Sequence, residues 1–579
     1  MLVVLTLHFG LANISARRDF PVIDEHAHLA SGTAIWHLKR FDSYIVNPPL
    51  LRTIATYSTT DDRYDWRLYF SGPGQRAEFT LAKSALDNAK LTSVHAFSVP
   101  RTIAILVSLL GPLFLIWVMW RADQYWASLV FFAYWACCPT ILASSPKLLP
   151  DAGFASLSII ASIAAARYTT DQRSRNAVLA GFASGMALLT KLTWIVAFAS
   201  LPFVATILIA RRNQQTNRRW QLVYLLHFAA FVLSAVWTLN VGYLFEGSFL
   251  RLEEYEFCSE MLGGEGSKAA RPGNRFRRTW AAGVPVPVPQ SYLQGVDYLK
   301  MEVESKYWSF LNGEWKLGSW PHYYVMTTLY KTPEPTLLGA LIGLGVLITG
   351  IRRKMVRPEV ISMFLFLIIP AAVCFASVSL QGGFNHHHRY VLMIYPPMFA
   401  LAAYIASPVG QVLLRYRLPW LGKKKRSIAV PLAFTLVTLS AVSSLRVHPY
   451  YTSYFNTLSG GPENGWRLLG FSNIDWGQDI LEVDRWLKEN PDKRPLVMDI
   501  DYFGMNGNLF DVPTTLPPRL ASGTPIVEVR RNISETQWWI ISVKKLYNLP
   551  GHKGVEYLQQ IEPVEKIAYA YHVYRFDPL

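Results

Sequence analysis

Long apolar runs broken by short basic clusters constrain this chain more than any other feature. Of its 579 residues, 51% are hydrophobic and 17% charged, where an average domain carries about 25% charged residues. Apolar stretches of about 20 residues match a bilayer core. They predict helical spans over 1–16, 97–120, 122–143, 152–167, 176–190, 192–210, 221–245, 335–351, 359–380, 391–407 and 428–445, about eleven in all. The expected fold is an α-helical polytopic membrane protein.

A net charge of +16 would also suit a nucleic-acid binder. The basic residues, however, sit in connectors: RYTTDQRSR (167–175), RRNQQTNRRW (211–220), RRKMVR (352–357) and RYRLPWLGKKKRS (415–427). Lys and Arg near span ends mark cytoplasmic loops, so a membrane accounts for the charge and no nucleic-acid partner is expected. Residues 176–210 are long for one crossing and short for two. Both flanking connectors are basic, so an even number of crossings separates them, and a hairpin with Lys191 near its turn is expected. With the amino terminus inside, loops 17–96, 144–151, 246–334 and 381–390 and the tail from 446 fall outside. The apolar run at the start also admits a signal-peptide reading, but it has no basic leader and no clear cleavage site. The four cysteines form neither a disulfide framework nor a zinc spacing.

The tail changes character. DILEVDRWLKENP has helical patterning, PLVMDID (495–501) and QWWIISV (537–543) resemble strands, and Pro and Gly punctuate the joins. The expected division is a membrane domain, 1–445, and a small extracytoplasmic α/β domain, 446–579.

The outer loops hold the candidate chemistry. In VIDEHAHLASG (22–32), Asp24 and Glu25 cannot point the same way on a helix. One can act as a general base while the other orients a partner, and Asp24 could instead cap the helix that follows. His26 and His28 would share a face on a strand but diverge on a helix, which disfavours a metal pair. SPKLLPD brings Asp151 back to the same face, again at a capping position. QGGFNHHHRY (381–390) adds three histidines, read as a solvated turn or an unspecific metal site, and Arg389, whose planar fork suits phosphate oxygens. Lys191 and Lys331 lie at span ends, where snorkelling is the ordinary explanation. Carboxylates and cations collected on one face suit transfer of a group from a lipid phosphate to a hydroxyl.

DEHAHLASG, YIVNPPLLR, SPKLLPD, GMALLTKLT, YYVMTTLYKTPEP, NHHHRYVLMIYPP and YFNTLSGGPENGWRLLGFSNIDWGQD occur in that order. Together they resemble bacterial membrane glycosyltransferases of the GT-C superfamily, near family 39 (dolichyl-phosphate-mannose–protein mannosyltransferase-like) and aminoarabinose-transferase relatives. The resemblance implies a polyprenyl-phosphate sugar donor, an inverting transfer, and an active site facing the periplasm from the bacterial cytoplasmic membrane. It implies Asp24 as base, with Glu25 in support and Asp151 as the second-loop acid. Arg389 and Tyr390 fall at the donor phosphate, with Lys191 and Lys331 as further cations and His28 and His388 as neighbours. Asn473, Asp475, Trp476, Gln478 and Asp479 are acceptor contacts or a lid. No cofactor is required, and a divalent metal stays open. The acceptor could be protein, glycan or lipid. A flippase for lipid-linked saccharides and a non-catalytic envelope assembly protein are the alternatives; one-sided ionisable residues and the lack of paired repeats favour the enzyme.

Overall fold

The computed structural model describes residues 1–59, 76–212, 218–416, 426–500, 502–503 and 506–578. The connectors 211–220 and 415–427 and the end of the strand expected at 495–501 lie partly outside them. The protein is a helical multi-span membrane protein. Its bundle helices are α1 (Leu2–Arg18), α2 (Ile23–Leu38), α3 (Ser98–Arg121), α4 (Tyr125–Cys137), α5 (Pro150–Thr170) and α6 (Ser174–Leu188). They continue with α7 (Trp194–Arg212), α8 (Arg218–Gly242), α9 (Glu334–Arg352), α10 (Pro358–Leu380), α11 (Tyr395–Tyr404) and α12 (Ala429–Leu445). Among the described residues, α3, α5, α7, α8, α9 and α10 are the six long and apolar enough to cross a bilayer.

Prolines explain where the other expected spans shorten. The run 122–143 breaks at Cys138, held extended ahead of Pro139, because the proline ring disfavours helix in the residue before it. The run 391–407 is a 3₁₀ segment over His388–Ile394 followed by the ten-residue α11, which carries Pro396 and Pro397 in its first turn. Proline is tolerated there because its missing N–H needs no intrahelical partner.

Two apolar cores share one wall. α3, α4, α9, α11 and α12 enclose the first, and α6, α7, α8 and α10 the second, with α5 contributing to both. In its apolar window α5 is 83% buried, against 22% for α8, which faces lipid. The α5 sequence suits that position, since DAGFASLSIIASIAAA is built of small residues that let backbones approach. At the α3–α5 contact, Pro112 opens the α3 ladder and Ser156 fills the gap. The Ser156 hydroxyl accepts from Gly111 N at 2.7 Å and donates to Val107 O at 2.9 Å. A Cβ on Gly111 would lie 1.9 Å from the Ser156 carbonyl oxygen, so only glycine permits this approach.

The tail carries a small α/β region. Its strands follow the hairpin β1 (Trp308–Leu311) and β2 (Glu314–Leu317) in the chain and are β3 (Leu496–Asp499), β4 (Gln537–Ser542), β5 (Glu565–Ile567) and β6 (Tyr571–Phe576). The sheet order is β3-β4-β6-β5, with β3 and β4 parallel and the other pairs antiparallel. α13 (Ile480–Glu489) buries Ile480, Val483, Trp486 and Leu487 against this sheet. Phe20, from the connector after α1, enters the same core, and Phe20 N donates to Gln478 O at 2.7 Å. The first loop and the tail are therefore packed as one surface over the bundle end.

That surface is anchored by charge. Glu25 is fully buried and takes Arg101 in a two-pronged pair at 2.9 and 2.7 Å, and Lys147 meets Asp19 at 2.8 Å. Removing one member of a buried pair strands the other charge, at a cost of about 3–5 kcal/mol. Arg101→Met is expected to destabilise the detergent-solubilised protein by that amount in thermal unfolding. Lys83→Ala, at the exposed Lys83–Asp87 pair, should change stability by less than about 0.5 kcal/mol.

Candidate active site

α2 starts two residues earlier than a cap at Asp24 requires. Val22 is the N-cap, and Glu25 at the third helical position accepts Val22 N at 3.0 Å. Asp24 therefore sits in the first turn with its side chain free to face elsewhere. Adjacent helical residues diverge by about 100°, and the two carboxylates part accordingly. Glu25 turns inward, where Arg101, Leu148 N and Val22 N satisfy it. Its side chain anchors two loops and has no remaining exposure. Asp151 is likewise no cap: Leu149 holds that position and Pro150 begins α5.

Asp24, Asp151, Lys191, Arg389, Tyr390 and Trp476 come together at this end of the bundle. Arg389 Nη2 meets Asp24 Oδ2 at 2.7 Å and its Nη1 meets Asp151 Oδ2 at 3.5 Å. Lys191, in the turn between α6 and α7, donates to the other oxygen of Asp151, so this lysine is paired inside the protein rather than snorkelling. The Arg389 guanidinium lies 4.0 Å from the centre of the Trp476 ring and 5.5 Å from that of Tyr390. Its Nε is buried and has no hydrogen-bond partner among the described residues. Asp24 is the open carboxylate, its side chain 19% exposed against 3% for Asp151. His28, one turn on from Asp24, packs on Tyr44 at 4.7 Å, while His26 turns away towards Phe97.

Beside Arg389 lies a small cavity of about 50 Å³ lined by Lys147, Lys331, His388, Ser472 and Trp476. Lys331 is buried with no carboxylate in ion-pair range among the described residues. It donates to Thr452 O at 3.0 Å and to Asn473 O, and sits 3.8 Å from the Phe455 ring centre. Burial lowers its pKa well below the usual lysine value. Arg389 and two lysines thus reach one small hole. Lys147 was the residue that spacing alone did not single out; its place four residues before Asp151 in the same short loop was the available signal.

The histidine run is packed into the protein rather than solvated, with His388 buried and His386 and His387 half-buried. His386 packs on Phe471, ring centres 4.0 Å apart, and bonds Trp308 O at 2.8 Å. His387 bonds Ser472 Oγ at 2.6 Å and stacks on Trp476. His388 bridges Thr327 and Tyr395, each at 2.9 Å. Burial pushes His386 down to about 4 and His388 to about 3, Lys331 adding to the latter, so these rings are neutral. Among the described residues, no group of three His, Cys, Asp or Glu is placed to hold a metal ion.

SNIDWGQD is a strap. Asn473 accepts from His388 N and donates to His386 O. Asp475 takes Gly477 N, Tyr571 and the Ser542 hydroxyl, tying the strap to β4 and β6. Gln478 bonds Ile474 O and Asp479, and burial raises the Asp479 pKa well above the usual carboxylate value. Of these residues, Trp476 touches Arg389. Trp476, His387 and Asp475 also line an outer cavity of about 520 Å³. Its walls include Phe310, Trp315, Trp466 and Tyr547, and its rim Arg519, Lys544 and Lys553.

The class that these features describe is a polytopic membrane protein with a charged site under an α/β cap. Among solved structures the chain is similar to ArnT from Cupriavidus metallidurans, in the apo state and bound to undecaprenyl phosphate. Each match has a TM-score of 0.43 and 12% identity, and covers 99% of this chain and 97% of that one. No protein-family model matches the chain, and no curated protein matches it in sequence.

The buried histidines make stability depend on pH. Their folded pKa values lie below the unfolded value of about 6.5, so the unfolded chain alone binds protons as pH falls. Their stabilisation is complete above about pH 6.5. It falls below that by up to about 1.4 kcal/mol per pH unit for each ring. Thermal unfolding should therefore occur at lower temperature at pH 5 than at pH 7, and His386→Phe should shrink the difference.

Proposed function

We propose that this protein is a glycosyltransferase that moves a sugar from a polyprenyl-phosphate donor to a hydroxyl acceptor at the outer face of the membrane. The observation that carries this reading is Arg389, shared between Asp24 and Asp151 on one side and bordering the lysine-lined cavity on the other. A phosphate oxyanion in that cavity meets Arg389, whose charge favours the departing phosphate, and Lys331, whose protonated form the anion's own charge favours. As the phosphate takes the guanidinium, Asp24 is released to accept the acceptor's proton. The acceptor oxygen then bonds the anomeric carbon from the face opposite the phosphate, the carbon–phosphate oxygen bond breaks, and polyprenyl phosphate leaves with inversion. Asp151 and Lys191 hold Arg389 in place, and Glu25 fixes α2. The aromatic outer cavity, joined to the site through Trp476 and His387, is the acceptor's seat.

This reading places the amino terminus and the basic connectors inside, with eleven crossings in the cytoplasmic membrane of a bacterium. A helical segment at each expected position supports it. The membrane portion is 1–445 and the outer portion 446–579. A transporter would concentrate its polar groups near the midplane, whereas these lie at helix starts and in connecting turns.

Purified protein given a panel of undecaprenyl-phosphate sugars, with products read by mass spectrometry, tests the reaction; an absence of transfer from every donor counts against it. Asp24→Asn should lower kcat by about 10²–10⁴-fold while donor binding persists, because Arg389 still holds Asp151. Wild-type turnover would remove Asp24 as base. Arg389→Lys, which keeps the charge and loses the fork, should weaken donor binding more than acceptor binding. Equal losses would make its role structural.

A further inference from the structure

A second cavity, of about 670 Å³, opens at the other end of the bundle between the ends of α3 and α5 and the starts of α6 and α10. Asp151 and Arg167 bracket sixteen steps of α5, which at 1.5 Å per residue is about 24 Å. The mouth of this cavity is therefore close to a bilayer core away from Arg389, in the opposite leaflet.

The walls are apolar, including Phe114, Ile163, Phe182 and Met363. The mouth carries Arg121, Arg167, Arg175 and Arg357, from four separate elements, against one carboxylate, Glu359. All four arginines are exposed, and among the described residues none lies within ion-pair distance of a carboxylate. Arg357 is oriented by a 2.8 Å bond from Nη2 to Ala122 O.

Basic span ends are ordinary on a cytoplasmic face and explain neither the cavity nor two amides within it. Gln124 and Asn176 line the cavity and are 6% and 2% exposed. Gln124 Oε1 and Asn176 Oδ1 have no hydrogen-bond partner among the described residues. Asn176 is held in place, its Nδ2 donating to Asp171 O at 2.7 Å. A buried acceptor without a donor costs about 1–3 kcal/mol, which points to a ligand that brings hydroxyl groups.

We propose that this cavity binds one anionic glycerophospholipid of the cytoplasmic leaflet, with a glycerol headgroup. Its acyl chains lie along the apolar walls, its phosphate meets the arginines, and its headgroup hydroxyls donate to Gln124 and Asn176. Guanidinium forks suit phosphate oxygens, and basic pockets between spans are a known way to hold such headgroups. The inference does not depend on the proposed transferase reaction.

Full-length protein, delipidated in detergent and challenged with defined lipids, is read by native mass spectrometry and thermal shift. Phosphatidylglycerol should be retained and should raise the unfolding temperature, while phosphatidylcholine does neither and glycerol phosphate alone does not compete. Arg167→Gln with Arg175→Gln removes two exposed charges and should weaken phosphatidylglycerol binding about thirtyfold while phosphatidylcholine retention stays as in the wild type. Asn176→Leu should bring phosphatidylglycerol down to the level of phosphatidic acid, which lacks the glycerol hydroxyls. Equal retention of phosphatidylcholine, competition by glycerol phosphate, or undiminished binding in the double variant would each overturn the proposal. Size-exclusion profiles and unfolding temperatures without added lipid identify any variant that has simply misfolded; the wild-type lipid comparison then decides.

Discussion

The capped end of this molecule is organised around one guanidinium. Arg389 takes Asp24 and Asp151 from parts of the chain far apart in sequence, while Lys191 supplies the second charge that Asp151 needs. A charge this far from water survives only with partners. The starts of α2 and α5, the α6–α7 turn and the segment before α11 are thus fixed relative to one another. Trp476 covers the flat face of the same guanidinium, so the strap is registered on the bundle by a contact that needs no backbone hydrogen bond.

Asp24 and Glu25 show how helix geometry divides labour between identical chemistries. One residue's rotation separates a saturated, fully enclosed carboxylate from one that keeps an opening to the site. Burial with Arg101 makes Glu25 part of the framework. Asp24 shares a cation with Asp151 and keeps part of its carboxylate exposed. The lysines divide similarly: Lys147 is bound to Asp19, and Lys331 is held by carbonyls, with no carboxylate in ion-pair range among the described residues, beside the small cavity.

Much of this was legible in the chain. Apolar length located the helices, basic connectors separated the two ends, and outer-loop charge pointed to Asp24, Asp151 and Arg389. The patterning of 479–491 and 537–543 anticipated α13 and β4. The failures have local causes. Capping preferences assigned Asp24 and Asp151 to helix starts, but Glu25 and Pro150 set those starts. The histidine run looked solvated because its partners, Phe471, Ser472 and Asn473, lie some eighty residues later. Strands β5 and β6 carried too little alternation to stand out. Lys147 was overlooked because a lysine in a short loop takes its meaning only from a distant aspartate.

The burial of α5 also bears on how the protein enters the membrane. This helix is less apolar than α3 or α10, and it carries an aspartate in its first turn. Such a segment partitions poorly from the insertion machinery into lipid by itself. Its small side chains and the Ser156 contact with α3 supply what lipid does not, so insertion of α5 must be coupled to helices already made or just following. The helix that carries Asp151 is thereby a product of assembly, and biogenesis itself selects against chains in which the two halves cannot close around it.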